Sequence, residues 1–260
     1  MHDIIVLKCG GSTVDQLSDH FYANICKLKQ AGLKPIIVHG GGPAIKEMLD
    51  KLNIEADFVD GLRKTTEQVM DVVEMALSGT VNQALVRKLN ETGINSMGLS
   101  GSDGNLLRAE AIDIERYGFV GKINYVNTDL LMQLLDMDIM PVIAPVALSE
   151  DGTRFNINAD TAAAAVARAL DAKQLVFVTD VPGILHGEKL LESVTQEEIE
   201  EFIQSGVVHG GMIPKVRAAL ESLSDSLEEV MIVDGKQSTL ATDTSLVGTV
   251  IRKTVEVIKQ

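Results

Sequence analysis

The sequence predicts an α/β fold, a three-layer αβα sandwich around a mostly parallel central sheet. Three observations carry that expectation. Apolar runs of strand length recur along the chain, helical patterns separate them, and 45% of the 260 residues are apolar, enough to bury a large core. The runs also lack polar alternation, the mark of strands covered on both faces.

Taken in order, the first run is IIVL from Ile4, ending at Lys8 and the pair Gly10-Gly11. The second, PIIVH from Pro35, ends at His39 and three glycines. A helix opens near Thr65, where Thr65-Thr66-Glu67-Gln68 offers a Thr-x-x-Gln capping box and Val69, Val72, Val73, Ala76 and Leu77 follow at helical spacing. It continues or restarts past Gly79 through Val81, Ala84, Leu85 and Leu89, with Gly93 as a natural stop. Between residues 106 and 126, short extended pieces around Gly118 and Gly121 read as a β-hairpin insertion near a sheet edge. Three further buried strands follow, MPVIAPV from Met140, LVFVT from Leu175 and VMIVD from Val230. No repeat or low-complexity linker interrupts them, so residues 1–260 form one domain, creased near Asp171 into lobes of residues 1–171 and 172–260.

Charge narrows the function. Asp and Glu number 37 against 23 Lys and Arg, a net charge of -14, which argues against nucleic-acid or anionic-membrane binding. An anionic ligand therefore needs a local cationic site. Cys9 and Cys26 have neither metal-ligand nor disulfide-framework spacing, in keeping with a reducing cytosol. The start of the chain lacks a basic flank before a long apolar segment, and the small-apolar run at residues 162–170 is broken by Arg168 and too short to span a bilayer. The expectation is a soluble, cytoplasmic protein without a membrane partner.

Three glycine loops stand at strand ends or helix starts: KCGGS from Lys8, HGGGP from His39 and HGGM from His209. In open α/β sheets ligands bind beyond the carboxyl ends of the strands, where such loops present backbone N–H groups to anions. Each loop by itself is equally a tight turn. Neither the P-loop nor the Gly-x-Gly-x-x-Gly fingerprint is present. Lys8 would reach into the crevice above the sheet, or snorkel to water. Lys215, beside the apolar stripe Met212, Val216, Ala219, Leu220 and Leu223, would face inward or along a rim, or lie on a solvated surface. If residues 154–160 are extended, Asn156, Asn158 and Asp160 share one face, although Asp160 also suits a helix N-cap. Arg63 in VDGLRKT offers a bidentate site for a carboxylate, or is an exposed loop residue. TDVPGIL from Thr179 could hold a nucleotide or simply turn through Pro182-Gly183. His39 and His209 read as hydrogen-bonded loop residues, because no metal cage or nucleophile elbow accompanies them.

Together, Lys8-Cys9-Gly10-Gly11, His39-Gly40-Gly41-Gly42-Pro43, Gly61-Leu62-Arg63-x-Thr65, Asn156-Ile157-Asn158-Ala159-Asp160, Thr179-Asp180-x-x-Gly183 and Gly210-Gly211-Met212-x-x-Lys215 resemble the amino acid kinase family, in order over nearly the whole chain. The resemblance implies that family's fold and transfer of the ATP γ-phosphoryl group to a carboxylate, most closely the γ-carboxylate of N-acetyl-L-glutamate in arginine biosynthesis. It implies that Lys8 and Lys215 stabilise the transferring group, that Asp160 orients both ammonium groups, and that Gly11 and Gly41 donate backbone hydrogen bonds. Arg63 would bind the acceptor's α-carboxylate, Gly41, Gly42 and Asn156 would complete that site, and Asn158 would sit near the junction. The first lobe would bind acceptor and dimerise. Nucleotide would occupy the second lobe, at Thr179, Asp180, Gly183, Ile184, Leu185, Gly210, Gly211 and Met212, with Mg²⁺ bridging phosphates and no dedicated metal-ligating residues.

Arginine-inhibited relatives carry a helix before the first strand, whereas here the strand starts near Asp3; the expectation is a homodimer without arginine feedback. Cys9 fills a slot usually held by an aliphatic residue. Two alternatives stay open: a carboxylate kinase of the same fold acting on aminoadipate, glutamate or aspartate, and a non-catalytic amino acid or nucleotide sensor.

Overall fold

The computed structural model describes residues 2–14, 16–236, 240–242 and 245–253. Eight strands build the central sheet: β1 (His2–Cys9), β2 (Lys34–His39), β3 (Ser96–Ser100), β4 (Met140–Ala144), β5 (Ala172–Thr179), β6 (Ser193–Thr195), β7 (Glu229–Asp234) and β8 (Gly248–Arg252). Their spatial order is β6-β8-β7-β5-β1-β2-β4-β3. The strands from β7 to β3 are parallel, while β8 pairs antiparallel with β7 and β6 runs with β8.

Alternate residues of the inner strands enter different cores. Ile4, Val6, Ile36, Val38, Leu175 and Phe177 join one apolar cluster, and Ile5, Leu7, Ile37, Val176 and Val178 join the other. Six helices matter for the site: α1 (Asp19–Gln30), α2 (Gly42–Leu52), α3 (Glu67–Glu74), α4 (Asn82–Glu91), α5 (Ala159–Ala169) and α6 (Met212–Ser222). Ala163, Val166, Val216 and Ala219 of α5 and α6 cover the first face, while Ile25, Leu85 and Leu89 of α1 and α4 cover the second. This is the expected three-layer arrangement. The run SMGLS of β3 was not legible as a strand, because its polar residues and glycine imitate a loop.

The long helix begins one residue later than the expected capping box. Thr66, not Thr65, caps α3 by accepting from the Val69 N–H. Thr65 is buried, and its hydroxyl donates to the Arg63 carbonyl while accepting from Asn156 Nδ2. The helical pattern does continue past Gly79, through a π segment, Met75–Val81, into α4, and Gly93 at φ 85° follows its end. The expected hairpin is present as strands Leu107–Ala111 and Val120–Val126. Rather than lying at a sheet edge, it closes into a four-stranded barrel with Val146–Leu148 and Arg154–Ile157. Gly121 permits that closure, since a Cβ there would stand 2.7 Å from the Phe155 Cβ.

Candidate active site

The parallel register brings the marked residues to one end of the sheet. Lys8 stands opposite Val38 of β2 and Phe177 of β5, and Thr179 stands opposite Asp234 of β7. Beyond these carboxyl ends the chain turns through Gly10-Gly11 into a single helical turn, Gly11–Val14, and through Gly40-Gly41 into α2. The Gly10 and Gly40 N–H groups are spent on the Val178 and Cys9 carbonyls, which leaves those of Gly11, Gly41 and Gly42 without an acceptor among the described residues, the arrangement that attracts anions.

Two cavities meet there. One, of about 250 Å³, includes Lys8, Gly11, Asp160, Thr179, Asp180 and Lys215 in its lining; the other, of about 230 Å³, includes Lys8, Gly11, Gly41, Gly42, Arg63, Asn156, Asn158 and Asp160. Lys8, Gly11 and Asp160 belong to both and form the junction. A larger open groove of about 1210 Å³ runs along the barrel beside Arg108, Tyr125 and Asp151 and contains none of these groups. The converging charges, not size, distinguish the two smaller cavities.

At the junction Lys8 Nζ lies 2.8 Å from Asp160 Oδ1. The contact counts as an ion pair and not as an aligned hydrogen bond, since the buried Oδ1 has no hydrogen-bond partner among the described residues. The local fold differs from a fully extended segment over residues 154–160. The strand ends at Ile157, and Asn158 is the N-cap of α5, its Oδ1 accepting from the Asp160 and Thr161 N–H groups at 2.8 and 3.2 Å. Asn158 thus takes the capping work and leaves the Asp160 carboxylate for Lys8.

Lys215 sits in the first turns of α6 and pairs with Asp180, just past β5. The resemblance assigned Asp160 to both ammonium groups; here Asp160 takes Lys8 and Asp180 takes Lys215, since Asp180 is the carboxylate that α6 presents its lysine to. The Lys215 hydrogen bond holds the Asp180 carboxyl below its usual range. In the second cavity Arg63 stacks on Phe58 at 4.6 Å and reaches the Gly42 carbonyl at 3.4 Å. Its partial burial pulls the guanidinium below its ordinary value, yet such a group stays charged at any working pH. Phe58, Leu62 and Val120 give this cavity an apolar wall, of which only Leu62 lies within one of the sequence motifs.

The glycines have distinct reasons. A Cβ on Gly11 would lie 2.6 Å from both the Gly41 and Gly42 nitrogens, and one on Gly40 would lie 3.0 Å from the Gly11 nitrogen. The two loops therefore approach each other as well as any ligand. A Cβ on Gly42 would meet nothing within 4 Å, and the residue lines the cavity. Of the nucleotide-side candidates, Thr179 and Asp180 line the cavity, whereas Gly183, Ile184, Leu185, Gly210, Gly211 and Met212 line neither of the two. Ile184 is buried in the core with its N–H on Thr249 Oγ1, and Gly183 at φ 135° packs against the same hydroxyl. Gly211 is the N-cap of α6 and Met212 its first residue, three positions before Lys215. Ser12, Thr13 and Pro214 line the cavity without having been singled out. Ser12 and Thr13 carry hydroxyls directly after the glycine pair, which is the signal that could have found them.

His39 is fully buried, and burial lowers its pKa from 6.5 to about 4. It faces the Gly40 carbonyl at 2.9 Å and Asn82 Nδ2 at 3.1 Å, so it is a hydrogen-bonded residue, as expected. Cys9, also buried, has its thiol pushed up to about 12 and is inert as a nucleophile. Among the described residues there is no cluster of three potential metal ligands, and no helix is long and apolar enough to cross a membrane.

Comparison with known proteins bears on the family and the fold. The sequence model of the Amino acid kinase family matches residues 3–234. The acetylglutamate kinase of Halalkalibacterium halodurans is 52% identical over 255 residues, 98% of each chain, and that of Geobacillus kaustophilus is 51% identical over 257 residues, 99% of each. A crystal structure of smu.665 from Streptococcus mutans superimposes with a TM-score of 0.83 at 34% identity, covering 97% of this chain and 99% of the other. With its motifs in order, its sheet in register and relatives sharing half their residues end to end, the chain belongs to the amino acid kinase family.

Proposed function

We propose that this protein transfers the γ-phosphoryl group of ATP to the γ-carboxylate of N-acetyl-L-glutamate, the carboxylate-kinase reaction of arginine biosynthesis. One observation carries the reading: two cavities of ligand-binding chemistry share Lys8, Gly11 and Asp160, with Arg63 in one and Lys215 in the other. Relatives named acetylglutamate kinase at 52% and 51% identity support the choice of acceptor. A carboxylate is already a nucleophile at neutral pH, so no general base is required. Catalysis then consists of alignment and charge stabilisation. Arg63 holds the acceptor's α-carboxylate, and the apolar wall beside it suits an acetyl methyl. Lys8 meets the transferring group from the acceptor side and Lys215 from the nucleotide side. Asp160 keeps Lys8 in place, and the N–H groups of Gly11 and Gly41 face charge that develops on the phosphoryl oxygens.

Mg²⁺ suits this site as an ion carried by the phosphates. Asp160 and Asp180 are the carboxylates of the nucleotide-side cavity and each already pairs with a lysine, which leaves no protein cage for a metal. When bound it neutralises charge on the triphosphate. The family resemblance further supports a cytoplasmic homodimer, which sedimentation at several concentrations tests, and a division of labour between residues 1–171 and 172–260. The assay for the reaction is ATP consumption against N-acetylglutamate, glutamate, aspartate and aminoadipate, with hydroxylamine trapping of the acyl phosphate. Turnover on another member of that panel, with none on N-acetylglutamate, would sink the acceptor assignment.

A further inference from the structure

His39 and Asn82 make a buried polar pair that neither packing nor charge balance requires. Asn82 Nδ2 lies 2.8 Å from the Val142 carbonyl and 3.1 Å from His39 Nε2, which engages both of its N–H donors. The reverse amide orientation would set oxygen against the Val142 carbonyl. His39 Nε2 is therefore an acceptor, so the proton of the neutral ring is on Nδ1 and is donated to the Gly40 carbonyl at 2.9 Å. Holding this arrangement has a cost, because Asn82 Oδ1 is buried without a hydrogen-bond partner among the described residues, and a Cβ on Gly98 would come within 1.9 Å of it. An apolar pair would fill the same space without an orphaned oxygen.

The Gly40–Gly41 peptide is trans, so fixing its carbonyl toward His39 turns the Gly41 N–H to the opposite side. That N–H has no acceptor among the described residues, and Gly41 lines the acceptor cavity across from Gly11. Three flexible glycines could otherwise flip this peptide at little cost. We infer that His39, held by Asn82, is a positioning residue that aims the Gly41 N–H at the transferring phosphoryl group. This rests on the kinase reading above. The π segment Met75–Val81 ends directly before Asn82, and Leu77 and Val81 close on Gly41 from the same side.

The test compares His39→Asn, which keeps a donor at the Nδ1 position, with His39→Gln, which places its amide at the Nε2 position. The expected result is a kcat for His39→Asn within about three-fold of the unmodified enzyme and a kcat for His39→Gln lowered roughly 10- to 100-fold. The KM values for both substrates should be little changed. Equal kcat for the two variants, or losses that appear only in KM or only as lowered thermal stability, would overturn the inference. An activity-independent measurement accompanies it: ¹⁵N NMR of the ring should show His39 protonated at Nδ1, and an Nε2-protonated ring overturns the proposal even if the unmodified protein phosphorylates none of the tested acceptors. Inactive unmodified enzyme with the Nδ1 tautomer would sink the functional reading alone.

Discussion

Gly11→Ala isolates how much the reaction depends on the spacing of the two glycine loops. Gly11 is not at positive φ, so alanine can adopt its backbone conformation, and at the head of a helical turn the change would otherwise be favourable. The obstacle is space. The new methyl would sit 2.6 Å from two backbone nitrogens, about 0.8 Å short of the 3.4 Å at which ordinary contact begins. Backbone cannot swing aside as a side chain does, so the loops must part by a comparable distance. Overpacking of this kind costs about 1–3 kcal/mol of stability. A displacement of about 1 Å in the groups aligning a reaction lowers kcat about 100-fold. Steady-state kinetics with both substrates, beside thermal melts, read the two effects separately. Gly79→Ala serves as control, since a Cβ there meets nothing within 4 Å, and it should leave kcat unchanged. A Gly11→Ala enzyme with unmodified kcat would refute the view that loop contact sets the geometry of transfer.

Further outcomes follow from the same site. Lys8→Ala or Asp160→Ala should lower kcat about 100-fold or more, from the loss of charge stabilisation worth roughly 3 kcal/mol or more; full turnover in either variant would remove that residue from the chemistry. Arg63→Ala should raise the acceptor KM with a smaller effect on kcat, and Arg63→Lys should restore little, because an ammonium lacks the bidentate fork; an unchanged KM would place Arg63 outside the site. Burial keeps the His39 imidazole neutral to about pH 4 against 6.5 in the unfolded chain. The unfolded state therefore binds more protons between those values. Its contribution is complete above pH 6.5 and is lost as the pH falls toward 4, amounting to about 2 kcal/mol between pH 7 and 5. Urea titrations should show that loss in the unmodified protein and not in His39→Asn, and parallel losses would contradict a buried neutral ring.

Much of this was legible in one dimension because the physical signals are local. A strand buried on both faces must be apolar at every position, so β1, β2, β4, β5 and β7 announce themselves. Lys8 at the end of such a run must emerge near the crevice, and consecutive glycines mark a place where backbone is approached. The shorter or more polar strands β3 and β6 carry no such signature, since at a sheet edge the pattern has fewer neighbours to satisfy.

The sequence by itself determined that β1, β2, β4, β5 and β7 are strands, that glycine turns follow β1 and β2 at their carboxyl ends, and which charged residues stand beside them. Only the tertiary structure decided the partnerships. It set Asp160 against Lys8 and Asp180 against Lys215, made Asn158 the cap of α5, and brought Gly11 onto the Gly41–Gly42 backbone. It also revealed that Gly183 yields to Thr249, a residue 66 positions later. The reason is physical: propensity and periodicity act over a few neighbouring residues, whereas an ion pair or a close backbone approach depends on distances that exist only once remote segments have packed together.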